Sequence, residues 1–276
     1  MEQTELTLQV LIAAMNQTDF TLIHSMNMNA DAVMANQTDN TSNGEFEIDN
    51  HNVLVINSAL KGIAANRNLA LDNATADIVL FADDDMVYTE GMAQGVLEAF
   101  AANPKADVIV FGCTETNSEG EVMMEYVHKS QRRFLFNSLK FPAYVIAARR
   151  ERLNKKNIRF STMFGLGSSY ELGEDTIFLA DCFKKGLRVY SSEFNIGTST
   201  KELHWFDGYT DKYFFDKGAS YRHIFGVFAP FVCEYYAGKY ARQTGKLKSK
   251  IIRQMEKGME DYRRKIKLNS FQSDGM

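Results

Sequence analysis

The 276-residue chain is 45% hydrophobic and 24% charged with only 3 Pro and 18 Gly, which excludes a low-complexity or collagen-like polymer and suffices to bury a full core. Its cysteines, Cys113, Cys182 and Cys233, are widely spaced and form no C-x-x-C pair, so neither a disulfide framework nor a zinc knuckle is expected, and a reducing cytoplasm is the natural setting. The net charge of −4 hides a division, because residues 239–276 hold 11 Lys and Arg against 4 Asp and Glu: a basic tail follows an acidic body.

The first residues, Met1 to Glu5, are acidic where a secretory signal is basic, and no apolar run reaches the ~18 residues that a membrane span needs. Leu8 to Ala14 reads as a buried strand, followed by an N-cap at Thr18 or Asp19 and a helix that turns Phe20 and Ile23 inward. Asp31 to Ala35 is the second strand and ends at Asn36-Gln37-Thr38-Asp39; the Asn-rich stretch 40–50 reads as a loop turning at Asn43-Gly44. Val53 to Ile56 is the third strand, and Ile63, Arg67, Ala70 and Leu71 at helical spacing lead into a fourth, Ile78 to Ala82. This alternation predicts an α/β fold with a mainly parallel sheet covered by helices on both faces.

A helix is expected from Thr89 to the stop at Asn103-Pro104, then a strand at Val108 to Phe111. Phe141 to Ala147 reads as a further strand, with antiparallel pairing among the options. A Gly-rich link at 164–169 precedes a helix from Thr176 to Lys185 closed by Gly186, with a short strand from Leu187 to Tyr190 behind it. Past His204 the chain turns aromatic and then basic, which places a catalytic domain at 1–203 and a C-terminal helical appendage at 204–276. Ile252, Met255, Met259, Tyr262 and Ile266 form an apolar stripe on a basic helix. Such a stripe docks on the protein's own body or a sister subunit in a homo-oligomer, with an in-plane peripheral membrane contact as the rival. No nucleic-acid partner is expected.

The chemistry concentrates where the fourth strand runs into Asp83-Asp84-Asp85. Three adjacent carboxylates repel one another, and either solvent or an oxygen-seeking divalent cation must compensate them. On an extended strand Asp83 and Asp85 share a face, and Asp84 points away.

With these residues in place the chain resembles the nucleotide-sugar glycosyltransferases of the GT-A fold, specifically the inverting family 2. Four segments carry the resemblance in the family's order over residues 6–200: the opening strand with Asn16 near its end, Gly62-Ile63-Ala64-Ala65-Asn66-Arg67-Asn68, the acidic triplet, and Glu174-Asp175 at the start of a helix. The resemblance implies a GT-A, Rossmann-like sheet and a sugar moved from a nucleotide-sugar donor, UDP by preference, to a hydroxyl. It implies that Asp85 directly ligates Mg2+ or Mn2+, and that Asp83 lies against the ribose or reaches the ion through water. Arg67 would complement the diphosphate, Asp175 would be the general base, and Glu174 would orient the acceptor. Asn36, Gln37 and Asp39 stand where the family commonly has an acidic pair at the nucleobase, and they can hydrogen-bond a uracil edge. His204 is a candidate further metal ligand, and Trp205 with Tyr209 a platform for a sugar ring. The missing Q-x-x-R-W after Asp175 points away from a processive synthase. A single addition to a saccharide or lipid-linked acceptor, in bacterial surface or capsular polysaccharide synthesis at the cytoplasmic face of the membrane, fits better. A nucleotidyltransferase making nucleotide sugars is the alternative, although Ala13 to Gln17 lack a basic Gly-rich phosphate loop; a non-catalytic GT-A scaffold is the other.

Overall fold

The computed structural model describes residues 5–200 and 208–273, with side chains to residue 268. The apolar runs assemble one eleven-stranded sheet. Strands β1 (Leu8–Met15), β2 (Asp31–Gln37), β4 (His51–Ser58) and β5 (Ile78–Asp83) are its parallel half. Between them run the one-turn helix α1 (Thr21–Ser25), the hairpin strand β3 (Ser42–Ile48) and α2 (Ile63–Asn73). The chain then passes through β6 (Met86–Tyr88), α3 (Met92–Ala102), β7 (Val108–Thr116), the short β8 (Val122–Glu125) and β9 (Gln131–Arg132), and β10 (Ile146–Arg149). Helices α4 (Arg150–Lys155) and α5 (Glu174–Lys184) lead to β11 (Val189–Thr200), and α6 (Asp211–Phe225), α7 (Ala229–Thr244) and α8 (Lys248–Ser273) complete the chain. The main strand order is β3-β4-β2-β1-β5-β10-β7-β11-β6, with β10 inserted antiparallel between β5 and β7.

The stretch 40–50, expected as a loop, is a strand instead. β3 pairs antiparallel with β4, and the turn is at Asp49-Asn50, whose φ angles of 50° and 64° are the left-handed pair of a two-residue hairpin. Asn43 sits within the strand opposite Ile56, and Phe46 stays with the body by packing on Phe20 at 4.7 Å. Of Phe141 to Ala147 only the end is extended, because 143–145 form a 3-10 turn. The short strand expected at Leu187 grows to twelve residues because β7 and β6 pair along its polar second half.

The boundary drawn at 203/204 falls outside the described residues, as do His204 and Trp205. Beyond it α6, α7 and α8 share a cluster that includes Phe214, Tyr221, Cys233, Ile251 and Met255. The stripe on α8 docks on the protein's own body: Met255 is buried, and Met259 and Tyr262 pack against α6 and the loop before α5. Two glycines let the backbones close up. A Cβ at Gly258 would lie 1.8 Å from the Phe215 carbonyl oxygen, and one at Gly218 would lie 2.0 Å from that of Met255. Gly258→Ala is therefore expected to destabilise the fold by about 3 kcal/mol through overpacking, seen as a lower urea midpoint at unchanged slope.

Candidate active site

The carboxyl ends of β1 and β5 and the start of α5 meet at an open cleft of about 810 Å3. Ala13, Arg67, Asp83, Asp84, Asp85, Glu174 and Asp175 line it, together with Tyr126, Tyr144, Leu139 to Pro142, Tyr209, Tyr213 and Lys217. Ligands in open α/β sheets bind at such strand ends.

Arg67 organises the carboxylates. It lies on α2 with its side chain 1% exposed, and it donates from Nη2 to Asp83 Oδ1 at 2.6 Å and from Nη1 to Asp175 Oδ1 at 2.8 Å. Glu174 Oε1 is 3.6 Å from Nη1. Burial alone would push this guanidinium down, but the charges of Asp83, Asp175 and Glu174 outweigh burial and raise it above the ordinary arginine value. Beneath it lies the Phe160 ring, 5.3 Å from Cζ, and Asn68 clamps the Phe160 backbone by donating to its carbonyl and accepting from its N–H, both at 2.8 Å. Phe160 stacks in turn on Phe178 of α5 at 4.2 Å. The segment Asn66-Arg67-Asn68 thus holds together two acidic sites, Asp83 and Asp175, the second of which lies 108 residues along the chain from Arg67. Arg67, expected at the diphosphate, lines the cleft with its guanidinium buried among these carboxylates.

The acidic triplet divides differently from the strand argument. β5 ends at Asp83, and Asp84 and Asp85 form the turn into β6. Asp83 faces Arg67, Asp84 is exposed at the cleft, and Asp85 Oδ2 accepts from Ser199 Oγ at 3.0 Å. Burial, and then the charge of Asp83, push the Asp85 carboxyl up to about 6 against the Ser199 hydrogen bond. Its Oδ1 is buried and has no hydrogen-bond partner among the described residues. That orphan oxygen beside a second carboxylate suits a hard divalent cation. Among the described residues no three His, Cys, Asp or Glu side chains converge into a cage of their own. Asp85 and Asp83 therefore fit an ion whose remaining ligands come from substrate and water, as is usual for Mg2+.

Gly173, at φ 108°, starts α5 in a left-handed conformation, and a Cβ there would meet Ser220 of α6 at 2.8 Å. This close approach seats the Glu174-Asp175 turn against the C-terminal helices. Burial, reinforced by the Asp175 charge and opposed by Arg67, raises the Glu174 carboxyl above the usual range. Burial pushes the Lys217 ammonium, which also lines the cleft, down, with the Glu174 charge opposing.

The residues expected at the nucleobase stand apart from this cluster, at the ends of β1, β2 and β4. Asn36 is buried with its amide committed: Nδ2 donates to the Gln17 carbonyl at 2.8 Å and to Asn57 Oδ1 at 2.7 Å, while Oδ1 accepts from the Gln17 N–H at 3.0 Å. Gln37 Oε1 caps the Gly62 N–H at 3.0 Å, and Asp39 is exposed. Ser199, Lys217 and the pair Tyr126 and Tyr144, which both donate to Glu115, escaped the sequence reading. Only the four-residue spacing of Tyr213 and Lys217, one face of α6, carried a legible signal.

The geometry agrees with comparison to known proteins. Residues 34–160 match the model of glycosyl transferase family 2. No curated protein matches the chain. Among solved structures, S. aureus TarS 1-349 in complex with UDP-GlcNAc superposes with a TM-score of 0.61 at 14% identity, covering 94% of this chain and 92% of that one. The UDP complex of the same protein gives a TM-score of 0.59 over the same shares at 14% identity. Identity this low speaks for the fold, while the family match rests on the sequence itself and spans the strands and helix that present Arg67 and the acidic triplet. Residues 34–160 thus carry a match to glycosyl transferase family 2, and the chain as a whole shares the fold of TarS.

Proposed function

We propose that the chain is a metal-dependent, inverting transferase that moves a sugar from UDP to a hydroxyl of a saccharide or lipid-linked acceptor, in the assembly of a bacterial surface polysaccharide on the cytoplasmic side. The single observation that carries this reading is the buried Oδ1 of Asp85, unpartnered among the described residues, beside Asp83, which Arg67 joins to Asp175 of α5. Asp85 and Asp83 would hold Mg2+ or Mn2+, which when bound supplies Lewis-acid stabilisation of the diphosphate. Asp175 takes the proton of the acceptor hydroxyl as that oxygen bonds the anomeric carbon. The bond to the diphosphate breaks on the opposite face, and its electron pair leaves with UDP. One base and no covalent nucleophile gives inversion. Glu174 orients the acceptor, and residues 1–203 act as the catalytic domain with 204–276 as an appended helical region.

The test is thermal shift with UDP or a UDP-sugar, with and without Mn2+. At about a hundred times its Kd a ligand stabilises the protein by ~2.7 kcal/mol. Asp85→Asn keeps an acceptor for Ser199 and removes a buried charge, so its ligand-free melting temperature is expected to equal or exceed that of the parent while the Mn2+-dependent shift disappears. A Mn2+-dependent shift that survives in the variant overturns the assignment.

A further inference from the structure

The surface carries a second feature that the transfer reaction does not use. Phe134, Phe136, Val227, Phe228, Phe231 and Tyr235 are each at least 60% exposed, and Phe136 reaches 80%. A run of ring contacts links the 134–136 segment to α7: Phe136 stacks on Phe225 at 6.0 Å, Phe225 meets Tyr221 at 6.2 Å, Tyr221 stacks on Tyr236 at 5.2 Å, and Tyr236 meets Tyr235 at 5.2 Å. Phe228, at the N-terminal edge of α7, and positions 231 and 235 on it recur at helical spacing on an exposed face that continues into Lys239 and Arg242. Monomeric proteins rarely leave such a contiguous apolar patch in water.

Charge says what covers it. The two segments that build the ledge are basic on a chain whose net charge is −4: residues 129–140 hold four Lys and Arg and no acid, and residues 222–250 hold six against the single Glu234. Glu234 is itself paired with Lys248. We infer that this aromatic and basic ledge is a docking surface for an anionic lipid bilayer, with the rings entering the interface and the Lys and Arg meeting the headgroups. A second copy of the chain is the poorer occupant, since an isologous contact would set the same cations against each other. The inference deepens the proposed function and rests on its lipid-linked acceptor. Tyr213 and Lys217, near the start of α6, line the cleft, and Phe225, at its end, lies on the ledge. From Tyr213 to Phe225 the helical rise spans about 18 Å, within reach of a saccharide held at the membrane surface.

The experiment is flotation of the full chain with vesicles of phosphatidylcholine alone or containing about one third phosphatidylglycerol, alongside light scattering. The parent is expected to bind the anionic vesicles at least ~10-fold better than the neutral ones, and less tightly as salt rises. The triple variant Phe136→Ser, Phe228→Ser, Phe231→Ser is expected to lose at least ~10-fold in binding. Its vesicle-free UDP release should equal the parent's, which keeps the catalytic reading separate from this one. Equal binding by variant and parent overturns the inference, as does a parent that binds neither vesicle. A dimer that the triple variant dissociates, without vesicle binding by either protein, assigns the ledge to self-association and overturns it too.

Discussion

Asp175→Asn is expected to lower UDP release about a thousandfold while leaving the binding of UDP and Mn2+ within a few-fold of the parent. The substitution is nearly isosteric, and an Asn oxygen can still accept from Arg67 Nη1, which lies 2.8 Å from Asp175 Oδ1. The guanidinium keeps its place on Phe160, and Asp83 keeps its partner. What vanishes is the proton acceptor. An acceptor hydroxyl ionises far above neutrality, so without a base its oxygen must attack while still protonated. Asp175 belongs to α5, a different element from the Asp85 turn, and Asp83 keeps its bond to Arg67, so the Mn2+-dependent thermal shift should survive. The measurement is single-turnover UDP release, with water or an acceptor as nucleophile, from whichever UDP-sugar gives the largest shift. A variant that turns over within a few-fold of the parent removes Asp175 from the role of base. Loss of the thermal shift as well would assign it to donor binding.

The parts of the site that were legible in the sequence are those in which local pattern and chemistry coincide. Ile78 to Phe81 is wholly buried, as its unbroken apolar run implies, and Asp83 to Asp85 follow it at a sheet end where nothing apolar can cover them. The strand at 42–48 was hidden because Asn43, Gly44 and Glu45 have weak strand propensity; pairing with β4 overrides it, and the turn moves to Asp49-Asn50. The role of Arg67 was hidden for a different reason. On α2 the apolar spacing places it inward, but only the tertiary fold brings Asp175 to it across 108 residues of chain. Ser199 is illegible for the same reason, as it meets Asp85 across 114 residues. The late aromatic stretch divides in a way its composition does not show: Phe214 and Tyr221 lie in the core shared by α6, α7 and α8, while Phe228, just before α7, and Phe231 on it face outward.

Arg67→Met is expected to destabilise the protein by about 3–5 kcal/mol, because removing one partner of a buried ionic cluster strands the others. Asp83, Asp175 and Glu174 would then face each other across an apolar side chain, with exposures of only 24%, 21% and 15%. The pH dependence identifies the cause. In the parent the guanidinium opposes the upward shift of the Glu174 carboxyl; without it, burial and repulsion drive that carboxyl further above its unfolded value. Its ionised form then costs stability, and that cost fades as pH falls through the raised value and the folded state takes up a proton. The gap between variant and parent, measured by urea unfolding, should therefore narrow from pH 7 to pH 5. A cavity or packing defect would leave it constant. Asp83→Asn added to Arg67→Met removes one stranded charge and should recover part of the loss at pH 7. Arg67→Lys should fall between, since a point charge cannot reach Asp83 and Asp175 together as the planar fork does. If Arg67→Met unfolds at the parent's urea concentration at every pH, the carboxylates are held apart by something other than Arg67, and the joining of the β5 and α5 acids through this one residue is wrong.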